Sequence, residues 1–271
     1  MYLRVKDIHN IMENHAPSIL KESYDNVGLM VGDMKSEVTS ILIALDCTLE
    51  VIEEAKQNGC NFILTHHPLL FKKPDSITTS TLIGKKIIQL IKNDINLYSS
   101  HTNLDSVKGG INDIIMALLD LTCDEIIDPS KVKNYGENNC GIGRISGLKV
   151  PVTLEELCSK VKSNLNIPML RYAGNESKII KKIAVVNGSG ESYFNSAKLL
   201  GADCIITGDT TYHNMSDFEE EGIAIIDAGH FETEWPAMKK VADLLVREIR
   251  TNKFDNTVIL SKVNRSPYKY K

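Results

Sequence analysis

No Cys-x-x-Cys pair occurs in this chain, although six cysteines stand at positions 47, 60, 123, 140, 158 and 204. Thiolate zinc sites are commonly built from such pairs, so a structural zinc of that kind has no support. No uninterrupted apolar run reaches the roughly 20 residues that a membrane-spanning helix requires. The first residues carry Arg4, Lys6 and Asp7 where a secretory leader needs an apolar stretch. The expectation is therefore a cytoplasmic protein with no membrane association, whose thiols stay reduced. A basic excess is missing as well: 31 Lys and Arg face 35 Asp and Glu, a formal net charge of -4, so nucleic acid is not indicated as a partner. The phosphate-binding pattern Gly-x-x-x-x-Gly-Lys-Ser/Thr does not occur. What is present is an ordinary globular composition, 42% hydrophobic and 24% charged, which excludes disorder as the main state. A chain of 271 residues makes one large domain or two modest ones.

Along the chain, short apolar runs alternate with helical periodicity. Val5, Ile8, Ile11 and Met12 have helical spacing, and Pro17 follows. Ser23 to Asp33 is rich in turn formers. Ser40 to Asp46 reads as a buried strand, and 48–58 as a helix with Thr48 as N-cap and Gly59 as stop. Phe62 to Thr65 is a second buried strand that ends on His66-His67-Pro68. Residues 81–93 read as a helix and 95–99 as a strand, which runs into His101-Thr-Asn-Leu-Asp105. A helix over 109–119 follows. From 124 to 148 the pattern loosens, and Arg144 to Val150 alternates only weakly. Thr153-x-x-Glu156 has the capping-box pattern. A second strand–helix series starts near Ile183, with Asn187-Gly-Ser-Gly190 as a tight turn. Strands at Cys204 to Thr207 and Ile223 to Ile226 lead into Gly208-Asp209 and Asp227-Ala-Gly-His230. A helix over 233–249 and a strand over 257–261 close the chain. Strand, helix, strand with short connections is the pattern of α/β units, whose ligands gather beyond the carboxyl ends of the strands.

Four of the seven histidines, His66, His67, His101 and His230, follow such strands. Asp105 and Glu234 each lie four residues after one of them. Imidazole with carboxylate suits zinc, iron or manganese. Two ions about 3.5–4 Å apart need a bridging carboxylate, and Asp105 and Glu234 are of the right type. The rival reading is four histidines that only orient their loops. His230-x-x-x-Glu234 has helical spacing, but Thr233 reads as the N-cap and Pro236 belongs in a first turn. Those two signals put His230 in the loop before the helix.

Five segments resemble a known family: Tyr24 to Gly32, Leu64 to Phe71, Ser100 to Asp105, Thr207-Gly-Asp209 and Asp227 to Glu234. Together, in this order and across nearly the whole chain, they are similar to the dinuclear-metal-centre proteins often labelled GTP cyclohydrolase 1 type 2 homologues, which are Nif-three-like. The resemblance implies ligation of two divalent ions per chain, zinc, iron or manganese, by His66, His67, Asp105, His230 and Glu234. It also implies a ring-like homohexamer. The fold expected is α/β: two α/β domains with mixed sheets and a metal site at the strand C-terminal ends between them. The first domain is set at 1–125, completed by 233–265, and the second at 126–232.

The function expected is that of a metal-dependent hydrolase, with metal-activated water attacking a small-molecule substrate: a nucleotide, a phosphoester or a purine-like ring. His101 is the catalytic candidate, as general acid or base or as a partner of Asp105. His213 is a weaker candidate for lining the site, and Asp25 and Asn26 read as turn formers first and as substrate contacts second. The alternative is a non-enzymatic metal-loaded ring that serves as a protein-interaction or metal-handling scaffold.

Overall fold

Two mixed sheets are built around short central strands that are buried on both faces. The computed structural model describes residues 2–269. Helix α1 (Val5–His15) buries Val5, Ile8 and Met12 and is followed by strand β1 (Gly28–Val31). Then come β2 (Ser40–Ala44), α2 (Leu49–Gln57), β3 (Phe62–Thr65), α3 (Leu82–Lys92), β4 (Asn96–Ser99) and α4 (Thr102–Ser106). Every residue of β3 and β4 is buried, as are the last four of β2. Such runs suit parallel strands covered on both faces. Thr48 caps α2, its hydroxyl accepting from Val51 N at 3.1 Å, and Thr81 does the same for α3 through Gly84 N at 3.1 Å. Each cap satisfies one of the N–H groups that a helix start leaves unpaired.

The chain continues with α5 (Ile111–Leu118), β5 (Glu125–Pro129), β6 (Gly141–Thr153), α6 (Leu154–Leu165), β7 (Arg171–Ala173), β8 (Ile179–Val185), α7 (Phe194–Leu199), β9 (Cys204–Thr207), α8 (Tyr212–Glu220) and β10 (Ala224–Asp227). It closes with α9 (His230–Thr251) and β11 (Thr257–Leu260). The capping box at Thr153 and Glu156 is formed in full. Among the described residues no helix is long and apolar enough to cross a membrane.

The first sheet has the order β1-β4-β3-β2-β11; β4, β3, β2 and β11 run parallel and β1 pairs antiparallel with β4. The second has the order β5-β6-β8-β9-β10-β7; its parallel centre is β8-β9-β10, and the outer pairs are antiparallel. The protein is thus a mixed α/β fold with two mixed sheets. The chain divides into two compact units, residues 1–104 with 238–267 and residues 105–237 with 268–271. Each has its own core. Leu42, Val51, Ile63, Leu90 and Leu97 represent the first, and Ile145, Phe194, Ile205, Phe218 and Ile225 the second.

Strand β1 lies in the segment Ser23 to Asp33, whose many turn formers hide it in the sequence. Gly28 and Gly32 bracket it at φ +102° and +132°, values that L side chains rarely adopt. A Cβ on Gly32 would stand 2.1 Å from Asn96 Oδ1, which accepts from Asp33 N at 3.0 Å. The strand is held by its ladder to β4, by that amide, and by Met30 and Val31, which pack against the core of the first unit.

The second unit contains a fully buried arginine. Arg144, on β6, donates from Nε to Asp113 Oδ1 at 2.6 Å and from Nη2 to Asp113 Oδ2 at 3.0 Å. Its Nη1 serves the carbonyls of Gly141 and Gly143 at 2.7 and 2.9 Å. This fork fastens α5, which carries Asp113, to the sheet. Removing the carboxylate strands a buried guanidinium, a loss of about 3–5 kcal/mol. Asp113→Ala is therefore expected to lower the unfolding free energy in urea by about that amount, against about 0.5 kcal/mol or less for the surface control Asp243→Ala. Equal losses in the two variants would contradict a structural role for the pair.

Candidate metal centre

In the first unit the parallel strands deliver imidazoles. His66 and His67 follow β3 directly, and His101 follows β4 by two residues. His66 is fully buried, and its Nδ1 lies 2.8 Å from the carbonyl oxygen of Ser100. A carbonyl only accepts, so Nδ1 carries the proton and Nε2 carries the ring's lone pair. His67 Nδ1 meets Asp46 Oδ1 at 2.9 Å, and Asp46 itself stands just beyond the end of β2. His101 Nδ1 meets Asp25 Oδ1 at 2.9 Å. The three rings form a triangle with centroid separations of 5.2 Å (His66–His67), 5.0 Å (His66–His101) and 5.7 Å (His67–His101). Their ligating nitrogens lie within 4.8 Å of one another, close enough for one ion.

Asp25 is not the turn former that its neighbours suggest. It is buried, and its Oδ2 accepts from Thr102 N at 3.0 Å and from the Thr102 hydroxyl. Burial alone would raise its pKa. The hydrogen bond and charge of His101, with the two hydrogen bonds from Thr102, outweigh burial and hold the carboxyl well below the usual range. Asn26 donates from Nδ2 to the Leu70 carbonyl at 2.9 Å, a loop-fastening contact.

In the second unit two helices deliver the donors: α4 carries Asp105, and the first turns of α9 carry His230 and Glu234. Asp105 and Glu234 are both buried. The Asn187 amide group donates from Nδ2 to Asp105 Oδ1 at 2.9 Å and to Glu234 Oε1 at 3.0 Å. One NH2 group thereby aligns two carboxylates. Asn187 is held in turn by its own N–H, which donates to Asn112 Oδ1 at 3.1 Å. The turn after it requires glycine: at Gly188, φ +53°, a Cβ would lie 2.2 Å from Glu234 Oε1. At Gly208 a Cβ would come within 2.9 Å of the His230 Cα.

The start of α9 differs from the sequence expectation. The helix begins at His230, not after Thr233, and Pro236 lies inside it. Thr233 is already helical, its N–H bonding to Gly229 O at 3.0 Å, and its hydroxyl turns back to the Gly229 and His230 carbonyls. A hydroxyl that bonds backward in this way cannot cap. His230 and Glu234 consequently share one face of the helix, with Nε2 and Oε2 3.0 Å apart. His230 Nδ1 meets Asp209 Oδ2 at 2.7 Å. Burial pulls the His230 pKa down, but the hydrogen bonds and charges of Asp209 and Glu234 overcome it and push the value up to about 11. This pair calls for positive charge, which a divalent cation supplies as well as a proton does.

The donor set suits a hard or borderline divalent ion: imidazole nitrogens and carboxylate oxygens, no thiolate. Each of the four strand-end histidines has Nδ1 fixed by an oxygen, the outer-sphere arrangement usual for metal-ligating histidine. His101 lies among the imidazoles rather than apart from them. His213 is exposed on α8, edge-on to Tyr212. Sequence reasoning passed over Asp46, Asp209 and Asn187. Asp46 and Asp209 stand within two residues of a parallel strand's end, as the histidines do, and that position was the available signal.

Similarity to known proteins extends over nearly the whole chain. The profile of the Duf34/NIF3 (NGG1p interacting factor 3) family matches residues 3–267. A Clostridium perfringens protein called GTP cyclohydrolase 1 type 2 homolog is 52% identical over 99% of this chain and 100% of its own length. A protein of the same name from Clostridium acetobutylicum is 50% identical over the whole of both. Among solved structures, the Staphylococcus aureus protein SA1388 superimposes with a TM-score of 0.89 at 31% identity, covering 99% of each chain. The Bacillus cereus protein related to NIF3 gives 0.91 at 26% identity over 100% of each. Reduced HcgD from Methanocaldococcus jannaschii gives 0.80 at 32% identity, over 97% of this chain and 99% of its own. The chain belongs to the Duf34/NIF3 family.

Proposed function

We propose that this protein holds a pair of divalent ions through His66, His67, Asp105, His230 and Glu234 and uses them to hydrolyse a small molecule, a nucleotide, phosphoester or purine-like ring. The observation that carries the reading is the common tie at Nδ1, which dedicates Nε2 of each imidazole to a ligand or a proton. The donor chemistry and the names of the clostridial relatives favour the same reading. When bound, the ions supply Lewis acidity and a water acidified toward a pKa of about 7. Hydrolysis of any of these substrates needs a proton at the leaving atom. His101 is placed for that transfer at Nε2, its ring oriented by Asp25 as a base is oriented by a third group in a catalytic triad. Asn187 keeps the two carboxylates aligned. Assembly as a ring-shaped homohexamer in the cytoplasm belongs to the same proposal.

Protein purified without an affinity tag and reconstituted with manganese, zinc or iron is expected to bind two ions per chain and to turn over members of a nucleotide and phosphoester panel. Glu234→Ala should lose both ions and turnover. His101→Ala should keep the ions and lose about 10²–10⁴-fold in rate. Ions lost with His101→Ala would make that residue a ligand instead of a proton carrier. Full ion occupancy with no turnover on any substrate would favour the scaffold reading.

The Asp25 contact predicts a pH dependence of stability. Its folded pKa is depressed, so its contribution is present above the unfolded value of about 3.9 and is lost as the pH falls through the folded value. Asp25→Asn should be about 1.5–3 kcal/mol less stable at neutral pH. The gap from wild type, followed by urea denaturation, should hold constant from pH 8 to 5 and shrink only in stronger acid. A gap that widens on acidification would contradict the assignment.

A further inference from the structure

The carboxyl ends of β9 and β10 border a cavity of about 180 Å³ that the ligand set does not use. Its lining includes Leu170, Arg171, Asp209, Asp227, Gly229 and Tyr268. A cavity of about 150 Å³ already accepts a benzene ring, so this one has room for a single ring system. Asp209 is the carboxylate that holds His230 Nδ1, so whatever enters the cavity lies one residue away from a proposed ligand. Leu170 and Tyr268 give it apolar walls, and Tyr268 is 63% exposed.

Arg171 supplies the chemistry. Its Nη2 pairs with Asp227, which is buried and also accepts from the Thr210 hydroxyl at 2.6 Å and from Gly229 N at 3.1 Å. That anchored carboxylate fixes the guanidinium in place. The Arg171 side chain is nevertheless 66% exposed, so much of its five-donor fork remains open to solvent. A fixed, exposed guanidinium is suited to two-pronged recognition of a phosphate.

We infer that this cavity is the substrate subsite for a nucleoside monophosphate moiety, with the base between Tyr268 and Leu170 and the phosphate on Arg171. The inference rests on the hydrolase reading and names where its substrate is recognised. Base stacking on tyrosine tolerates different rings, whereas the arginine demands an oxyanion. Arg171 is thereby a specificity determinant and not a metal ligand.

Isothermal titration of the metal-loaded full chain with GMP, guanosine and inorganic phosphate tests this. GMP should bind about tenfold or more tightly than guanosine, and Arg171→Ala should bring GMP down to the guanosine level while leaving guanosine unchanged. Arg171→Lys, which keeps the charge without the fork, should fall between the two. Tyr268→Ala should weaken GMP and guanosine alike. Arg171→Ala also removes a partner of the buried Asp227, so its circular dichroism melt is read first; where it falls below wild type, Arg171→Lys, which keeps the charge, decides by the same comparison of GMP with guanosine. GMP bound equally well by wild type and Arg171→Ala, phosphate bound as tightly as GMP, or no binding of GMP at all would overturn the subsite. Metal content and turnover are read separately: their loss in wild type defeats the hydrolase reading, whereas their persistence with an indifferent Arg171 defeats only the subsite.

Discussion

An oxygen atom on Nδ1 of each strand-end histidine is the constraint on which the candidate centre depends. Imidazole has two nitrogens of similar basicity, and an unanchored ring can present either. Here Ser100 O, Asp46, Asp25 and Asp209 each claim Nδ1 of one ring. The tautomer and the ring orientation are then fixed, and Nε2 becomes the chemically useful atom. Three of the four partners are carboxylates, which also raise the electron density of the ring. The fold makes this arrangement possible by ending parallel strands side by side. Asp46 and His66 leave neighbouring strands of one sheet, and Asp209 and Asp227 leave neighbouring strands of the other.

The carboxylate side follows the same logic with a different device. Asp105 and Glu234 are both acceptors and repel each other. The Asn187 amide group bonds to both and lets them lie close together. Gly188 leaves the space into which Glu234 extends, and Gly208 lets the first turn of α9 approach. The turn Asn187-Gly-Ser-Gly190 is thus shaped by the carboxylate it accommodates. A glycine-rich turn after a strand invites comparison with anion sites, but here its neighbour is a carboxylate of the same chain.

Much of the α/β fold is legible in the sequence because its central strands are buried on both faces. Ile41 to Ala44, Phe62 to Thr65 and Cys204 to Thr207 are continuous apolar or neutral runs, and their ends mark where chemistry gathers. The caps at Thr48 and Thr153 are equally local and equally readable. Strands β1, β5 and β7 are not: they are edge strands whose form comes from a ladder to a neighbour. In β7, Arg171 and Tyr172 are exposed and only Ala173 is buried, so no pattern announces it. The start of α9 was hidden by a threonine that bonds backward and a proline accepted inside a helix. Donors such as His66 and Glu234 stand out by residue type and position. Residues that aim them, such as Asp25 and Asn187, become visible only when distant segments meet.

In the proposed centre Nε2 of His66, His67 and His230 faces metal, and Nε2 of His101 faces the substrate. A crystal structure of the manganese- or zinc-loaded protein, with anomalous difference maps recorded on both sides of the metal absorption edge, addresses it most directly. Two anomalous peaks per chain are expected, bonded to Nε2 of His66, His67 and His230, with every Nδ1 still on its oxygen partner. Peaks bonded to Nδ1, or no peak at these residues in protein that carries metal, would contradict it.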